Sequence, residues 1–166
     1  ETIKEEYWEI IKSIYERIKE YYDEKRQEMT KNIERKKELI VKAQEVAAKT
    51  GEASTHKDWD ALTAELLAVQ EEWKTVGFGP RKENEDVWAE FRAVCDKFFA
   101  EKKEYYKERQ GEFDEIKEKK EALIAKVNEL KSSTDWKETT QKIVNIQKEW
   151  KKIGGAGPRF EQRLWK

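Results

Sequence analysis

The sequence predicts an all-α protein in which long helices are shared between tandem three-helix bundle units, forming an elongated helical array. Three observations carry this. Six of the seven tryptophans form two copies of one ruler, Trp59, Trp73, Trp88 and Trp136, Trp150, Trp165, with the same two steps both times (73 − 59 = 150 − 136 and 88 − 73 = 165 − 150). A fixed internal period marks a repeat architecture. Glycine and proline are scarce, 7 and 2 in a chain of 166, and neither lies between Ile3 and Lys49. Apolar residues recur at alternating steps of three and four, the spacing of one buried helix stripe.

The copies match beyond the tryptophans. Arg35-Lys36-Lys37-Glu38-Leu39-Ile40 recurs as Lys119-Lys120-Glu121-Ala122-Leu123-Ile124, an offset of 84 (119 − 35), and Asp58-Trp59 recurs as Asp135-Trp136, an offset of 77 (135 − 58). The loop Lys49 to Lys57 is therefore seven residues longer in the first copy (84 − 77), a change that loops absorb cheaply. Gln70-Glu71-Glu72-Trp73-Lys74 answers Gln147-Lys148-Glu149-Trp150-Lys151, and Gly79-Pro80-Arg81 answers Gly157-Pro158-Arg159 with a one-residue difference in offset (157 − 79 = 78). Lys19-Glu20-Tyr21-Tyr22 precedes Lys103-Glu104-Tyr105-Tyr106 by the larger offset (103 − 19 = 84), so a third, partial copy leads the chain. The expected organisation is residues 1–34 as the last helix of a preceding repeat, 35–110 as a complete unit and 111–166 as a second, truncated unit. The matching phase at both ends, and the lack of a starting Met, point to a piece of a longer array.

The elements follow in order. Ile3 to Lys49 reads as one helix about 70 Å long at 1.5 Å per residue, with Trp8, Ile11, Tyr15, Ile18, Tyr22, Met29, Leu39, Ala43 and Val46 on its stripe. Asp58 to Val76 is a short amphipathic helix carrying Trp59, Leu62, Leu66, Val69 and Trp73. Its counterpart carries Trp136, Thr139, Ile143, Ile146 and Trp150. Asp58 and either Asp135 or Thr134 are the expected N-caps, and Gly77 and Gly154 supply left-handed ends. A second long helix spans about Glu83 to Leu130, with Gly111 inside it at a cost of about 1 kcal/mol. The stretch Asp23 to Lys37 puts Lys25, Asn32 and Lys36 on seam positions and reads as a solvated bridge between bundles. Local pairs such as Asp23 with Arg26 and Glu28 with Lys31 would stiffen it.

Composition bounds the class. Charged residues make up 43% of the chain, a level that alone suggests disorder, but nineteen Trp, Tyr and Phe residues supply anchors for narrow apolar seams. The balance of 35 basic and 36 acidic residues gives a net charge of −1, so no bulk attraction to nucleic acid or anionic membrane follows. A single cysteine, Cys95, excludes an internal disulfide and fits a reducing compartment. No apolar run approaches the roughly 20 residues that span a bilayer. The expected location is cytoplasmic.

The run Trp73-Lys74-Thr75-Val76-Gly77-Phe78-Gly79-Pro80-Arg81, followed by Val87-Trp88-Ala89-Glu90-Phe91-Arg92-Ala93-Val94-Cys95-Asp96-Lys97-Phe98-Phe99, resembles the bacterial domain-of-unknown-function family numbered 349. The resemblance covers nearly the whole chain. Residues before Lys19 depart from it, with Lys4 at the place of Trp88, Trp8 for Arg92 and Ile14 for Phe98. The resemblance implies a cytoplasmic helical-repeat protein with no assigned reaction.

No constellation of residues points to catalysis, a cofactor or a metal. His56 is the only histidine and is expected in a polar loop; carboxylates interleave with lysines as on a solvated face. Cys95, between Phe91 and Phe98, reads as a packing residue, and the repeated tryptophans read as core. The Gly-Pro-Arg loops match what a tight helix-to-helix turn needs and also offer an anion or partner contact at Arg81, Arg159 and Arg163. They lack the Gly-Lys-Ser/Thr of a phosphate-binding loop.

Charge differs between the copies. Asp58 to Thr75 carries five acids and one lysine, Asp135 to Lys152 three acids and five lysines, and Gln147 to Lys166 six basic against two acidic residues. Near-neutrality favours a non-enzymatic scaffold that binds proteins or itself over an accessory protein associated with RNA, DNA or the ribosome. Because the second bundle wants a third helix and residues 1–22 match such a helix, head-to-tail self-association is expected to cover Trp8, Ile11, Trp136 and Trp150.

Overall fold

The computed structural model describes residues 2–166. Among them the chain is all-helical, with α1 at Ile3–Ala48, α2 at His56–Thr75, α3 at Arg81–Glu129, α4 at Trp136–Ile153 and α5 at Pro158–Leu164. Short 3-10 turns follow α1 (Lys49–Glu52) and α3 (Leu130–Ser132), and no strand occurs among the described residues. No described helix is long and apolar enough to cross a membrane. The contacts divide the chain into two compact units, one running to Lys102 and one from Lys103 to Lys166.

The first unit is a three-helix bundle. Its core takes Ile33, Leu39, Ile40, Ala43 and Val46 from α1, Trp59, Leu62, Leu66, Val69 and Trp73 from α2, and Val87, Phe91, Cys95 and Phe98 from α3. Leu39, Leu66 and Phe98 have no exposed surface and mark its centre. The helices alternate in direction. Glu72 on α2 meets Arg35 and Lys42 of α1 while Glu65, two turns earlier, meets the later Lys49. Trp73 stacks on Phe91 at 4.2 Å between ring centroids, and Trp59 lies 5.7 Å from Phe98.

The helix ends differ from expectation in two ways. Thr55, rather than Asp58, caps α2. Its hydroxyl accepts from the Asp58 N–H, and the Asp58 carboxylate accepts in return from the N–H groups of Thr55 and Ser54, a reciprocal capping box. His56 is consequently the first residue of α2 and not a loop residue. Asp135 caps α4 as expected. Gly154 is left-handed at φ 84°, whereas the only other positive-φ residue among those described is Gly157 at 90°; Gly77 is not one. At Gly77 and Gly79 the constraint is space. A Cβ on Gly79 would stand 2.3 Å from the Ile33 side chain and 3.2 Å from the Met29 carbonyl oxygen, and one on Gly77 2.8 Å from the Asn32 amide.

That close approach also corrects the solvated bridge. The loop Val76 to Pro80 lies against α1, so Ile33 and Lys36 are buried at 3% and 5% exposure, and Asn32 donates to the Phe78 carbonyl at 2.9 Å. The bridge is solvated only before Ile33, where Asp23 pairs with Arg26, and Glu28 turns to Lys25.

The second unit has a thinner interior, made chiefly by Leu123 and Lys120 of α3, Thr139 of α4 and Ala156 of the following loop. Gly79→Ala should cost about 1–3 kcal/mol through overpacking against Ile33. Gly111→Ala, in open space inside α3, should add about 0.5–1 kcal/mol of stability through helix propensity. Urea unfolding followed by far-UV circular dichroism measures both.

Candidate functional site

The tight turns after α2 and α4 are built alike, and each buries a lysine. Lys36 and Lys120 occupy equivalent places on α1 and α3, related by the larger repeat offset (120 − 36 = 84). The Lys36 ammonium lies 5.4 Å from the Trp73 ring and 5.7 Å from the Phe78 ring, and donates to the Asn84 side-chain oxygen at 2.6 Å. The Lys120 ammonium lies 4.9 Å from the Trp150 ring and bonds Glu161 at 2.6 Å. Asn84 and Glu161 are themselves equivalent, related by the smaller offset (161 − 84 = 77). Each also accepts from the turn, Asn84 from the Gly79 N–H at 3.5 Å and Glu161 from the Ala156 N–H at 2.9 Å. A cation over an indole, fixed by one acceptor that also holds the turn, thus recurs in both units. The paired offsets of Lys36 with Lys120 and Asn84 with Glu161 were the signal for it in the sequence.

The three arginines singled out in these turns separate. Arg81 belongs to the first unit, where its exposed side chain pairs with Glu85 at 3.1 Å on the same helix. Arg159 and Arg163 belong to the second, where they line an open groove of about 560 Å³ with Phe113, Asp114, Lys117 and Phe160. Lys117 and Arg163 sit 5.6 Å and 5.9 Å from the Phe160 ring. The groove therefore gathers three cations, two rings and one carboxylate.

The tryptophan ruler divides in the same manner. Trp59 and Trp73 are buried, but Trp88 is half exposed, and Trp136 and Trp165 are exposed at 75% and 78%. The expectation that all the repeated tryptophans are core holds only where α3 supplies Phe91 and Phe98 to cover them. Cys95 is buried as expected, and burial pushes its thiol above the ordinary range. Among the described residues no cluster of His, Cys, Asp or Glu is arranged to hold a metal ion.

Two like-built turns and two like-patterned short helices define a tandem helical-repeat protein. The chain belongs to the family described as Domain of Unknown Function (DUF349), whose model matches residues 2–82 and again 86–159. The starts of the two matches differ by the same offset (86 − 2 = 84) that relates Lys36 to Lys120. Neither the search of curated proteins nor that of solved structures found a match.

The two lysines carry opposite expectations. Burial lowers the Lys36 pKa, so its charge costs stability at neutral pH and the cost is relieved as pH rises through the folded value. Lys36→Met should therefore lie within about 1 kcal/mol of the parent or be more stable, whereas Lys120→Met strands Glu161 and should cost about 1–3 kcal/mol. The Lys120 bond, then the Ala156 N–H, hold the Glu161 carboxyl below the usual range. Stability from Glu161 is fully present above the ordinary carboxylate pKa of about 4.3 and lost as pH falls through the lower folded value. Glu161→Gln should remove that part of the acid sensitivity, read from urea midpoints across the pH range.

Proposed function

We propose that the chain is a non-enzymatic, cytoplasmic helical-repeat protein that acts as a protein-interaction or structural scaffold. The observation that carries this is the contrast at equivalent positions. Trp59 and Leu66 of α2 are 3% and 0% exposed, while Trp136 and Ile143 of α4 are 75% and 36% exposed. Large apolar side chains grouped on one face and open to water mark interaction surfaces. Near-neutral charge and a mixed surface agree with a protein partner over a polyanion.

A second reading, association with RNA, DNA or the ribosome, is favoured by one observation: Lys117, Arg159 and Arg163 converge on one groove beside Phe113 and Phe160. Cations with stackable rings suit single-stranded nucleic acid.

Immobilised chain should retain proteins from cell extract at physiological salt after nuclease treatment, and Trp136→Glu should lose them while an Arg159→Ala, Arg163→Ala double variant keeps them. Retention that vanishes with nuclease, together with generic RNA binding that the double variant abolishes and that falls steeply with salt, would put the second reading first.

A further inference from the structure

We infer that Lys36 is a covalent binding site for small apolar aldehydes, which it holds as an imine in the cavity beside the turn after α2. The site lies wholly within the first unit and is independent of the scaffold reading.

The first requirement is space next to the amine. Lys36 is 5% exposed, yet it lines an open cavity of about 250 Å³ whose walls are Trp73, Val76, Phe78 and Trp88. Its nitrogen lies 5.4 Å from the Trp73 ring and 5.7 Å from the Phe78 ring, so the amine borders that space. Phe78 and Trp88 are 80% and 49% exposed and leave a ligand a way in. Three aromatic rings and a valine favour an apolar occupant. Two polar side chains complete the lining, Asn84 and Lys74, and the Lys74 ammonium is paired with Glu71 at 2.5 Å.

The second requirement is a free lone pair. An ammonium cannot attack a carbonyl, so a nucleophilic lysine has to give up its proton, which a desolvated site favours. No carboxylate lines the cavity, and among the described residues none pairs with Lys36; its acceptor is the neutral Asn84 side-chain oxygen at 2.6 Å. Burial pushes the Lys36 amine below the ordinary lysine range. The counterpart Lys120 differs in its acceptor, facing the Glu161 carboxylate at 2.6 Å in a buried ion pair. Both lysines hold their turns, and an amide in place of a carboxylate leaves Lys36 free to react.

The step balances without a further reagent. The Lys36 nitrogen adds its lone pair to the carbonyl carbon and forms a C–N bond. The carbonyl oxygen then takes both nitrogen protons and leaves as water, and C=N replaces C=O with no change of oxidation state. Hydrolysis reverses the sequence, so the aldehyde is held and released rather than consumed.

Benzaldehyde is the probe, with sodium cyanoborohydride to trap imines on the full chain and peptide mass mapping to locate them. With limiting probe near neutral pH, Lys36 should label about tenfold faster than any other lysine of the chain. Benzyl alcohol, similar in shape but unable to form an imine, should slow labelling at Lys36 and nowhere else. Asn84→Asp gives the first turn a carboxylate like that of the second, and should cut Lys36 labelling about tenfold with helical circular dichroism unchanged. Lys36→Met should fold and lose the favoured adduct. Adducts spread evenly over surface lysines, Lys120 labelling as fast as Lys36, undiminished labelling in Asn84→Asp, or no competition from benzyl alcohol would each overturn the inference.

Discussion

A helix of eighteen or twenty residues cannot hide two indoles by itself, and most of this structure follows from how they are covered. Trp59 and Trp73 lie on one face of α2, nearly four helical turns from each other, so a single partner helix must present rings at matching heights. Phe98 and Phe91 do so from α3, and the stacked Trp73–Phe91 pair at 4.2 Å fixes the register. Leu39, Leu66 and Phe98 fill the space behind them without exposed surface. Burial of this kind contributes about 1.5–3 kcal/mol for each large side chain, far more than the surface ion pairs that decorate the helices.

The turns set the height at which the next helix begins. Gly79 allows the backbone to press on Ile33, and Pro80 leads into α3, whose first turn hydrogen-bonds back from Asn84 to the Pro80 carbonyl at 2.8 Å. Lys36 then ties α1, the Trp73 ring and Asn84 together at one point. The second unit keeps this device with a charged acceptor in place of the amide. Its retention in both copies, with either acceptor chemistry, shows that the geometry of the turn is what the lysine serves, and that the arginines beside it are free to differ in surroundings.

The four longer helices, their order and the repeat were legible in the sequence because they depend on periodicity and on where glycine and proline fall, whereas the short α5 was not among the expected elements. Asp135 as a cap and Gly154 as a left-handed end were legible for the same local reason. Gly77 was misread because composition does not separate a glycine needed for positive φ from one needed for clearance: the clearance involves Asn32, on a different helix and far back along the chain. Lys36 was misread because a lysine on a seam looks solvated until a distant loop covers it. The exposure of Trp136 was hidden by its pattern. A stripe specifies that a side chain can be buried, and only the neighbouring helix decides whether it is.

The difference between the two units reaches their polar contacts too. In the first, Glu72 and Glu65 of α2 reach Arg35, Lys42 and Lys49 of α1 and stitch the two helices along their length. In the second, Lys142 replaces Glu65 and bonds Glu138 within α4 itself, and Ser133 stands where the first copy has Lys49. Among the described residues of that unit no ion pair joins α3 to α4; the buried pair, Lys120 with Glu161, ties α3 to α5 at the far end of the short helix. Helix α4 therefore keeps its charge pairing local and its apolar face open. Helix α2, by contrast, is fixed to α1 by three cross-helix pairs and has both of its indoles covered.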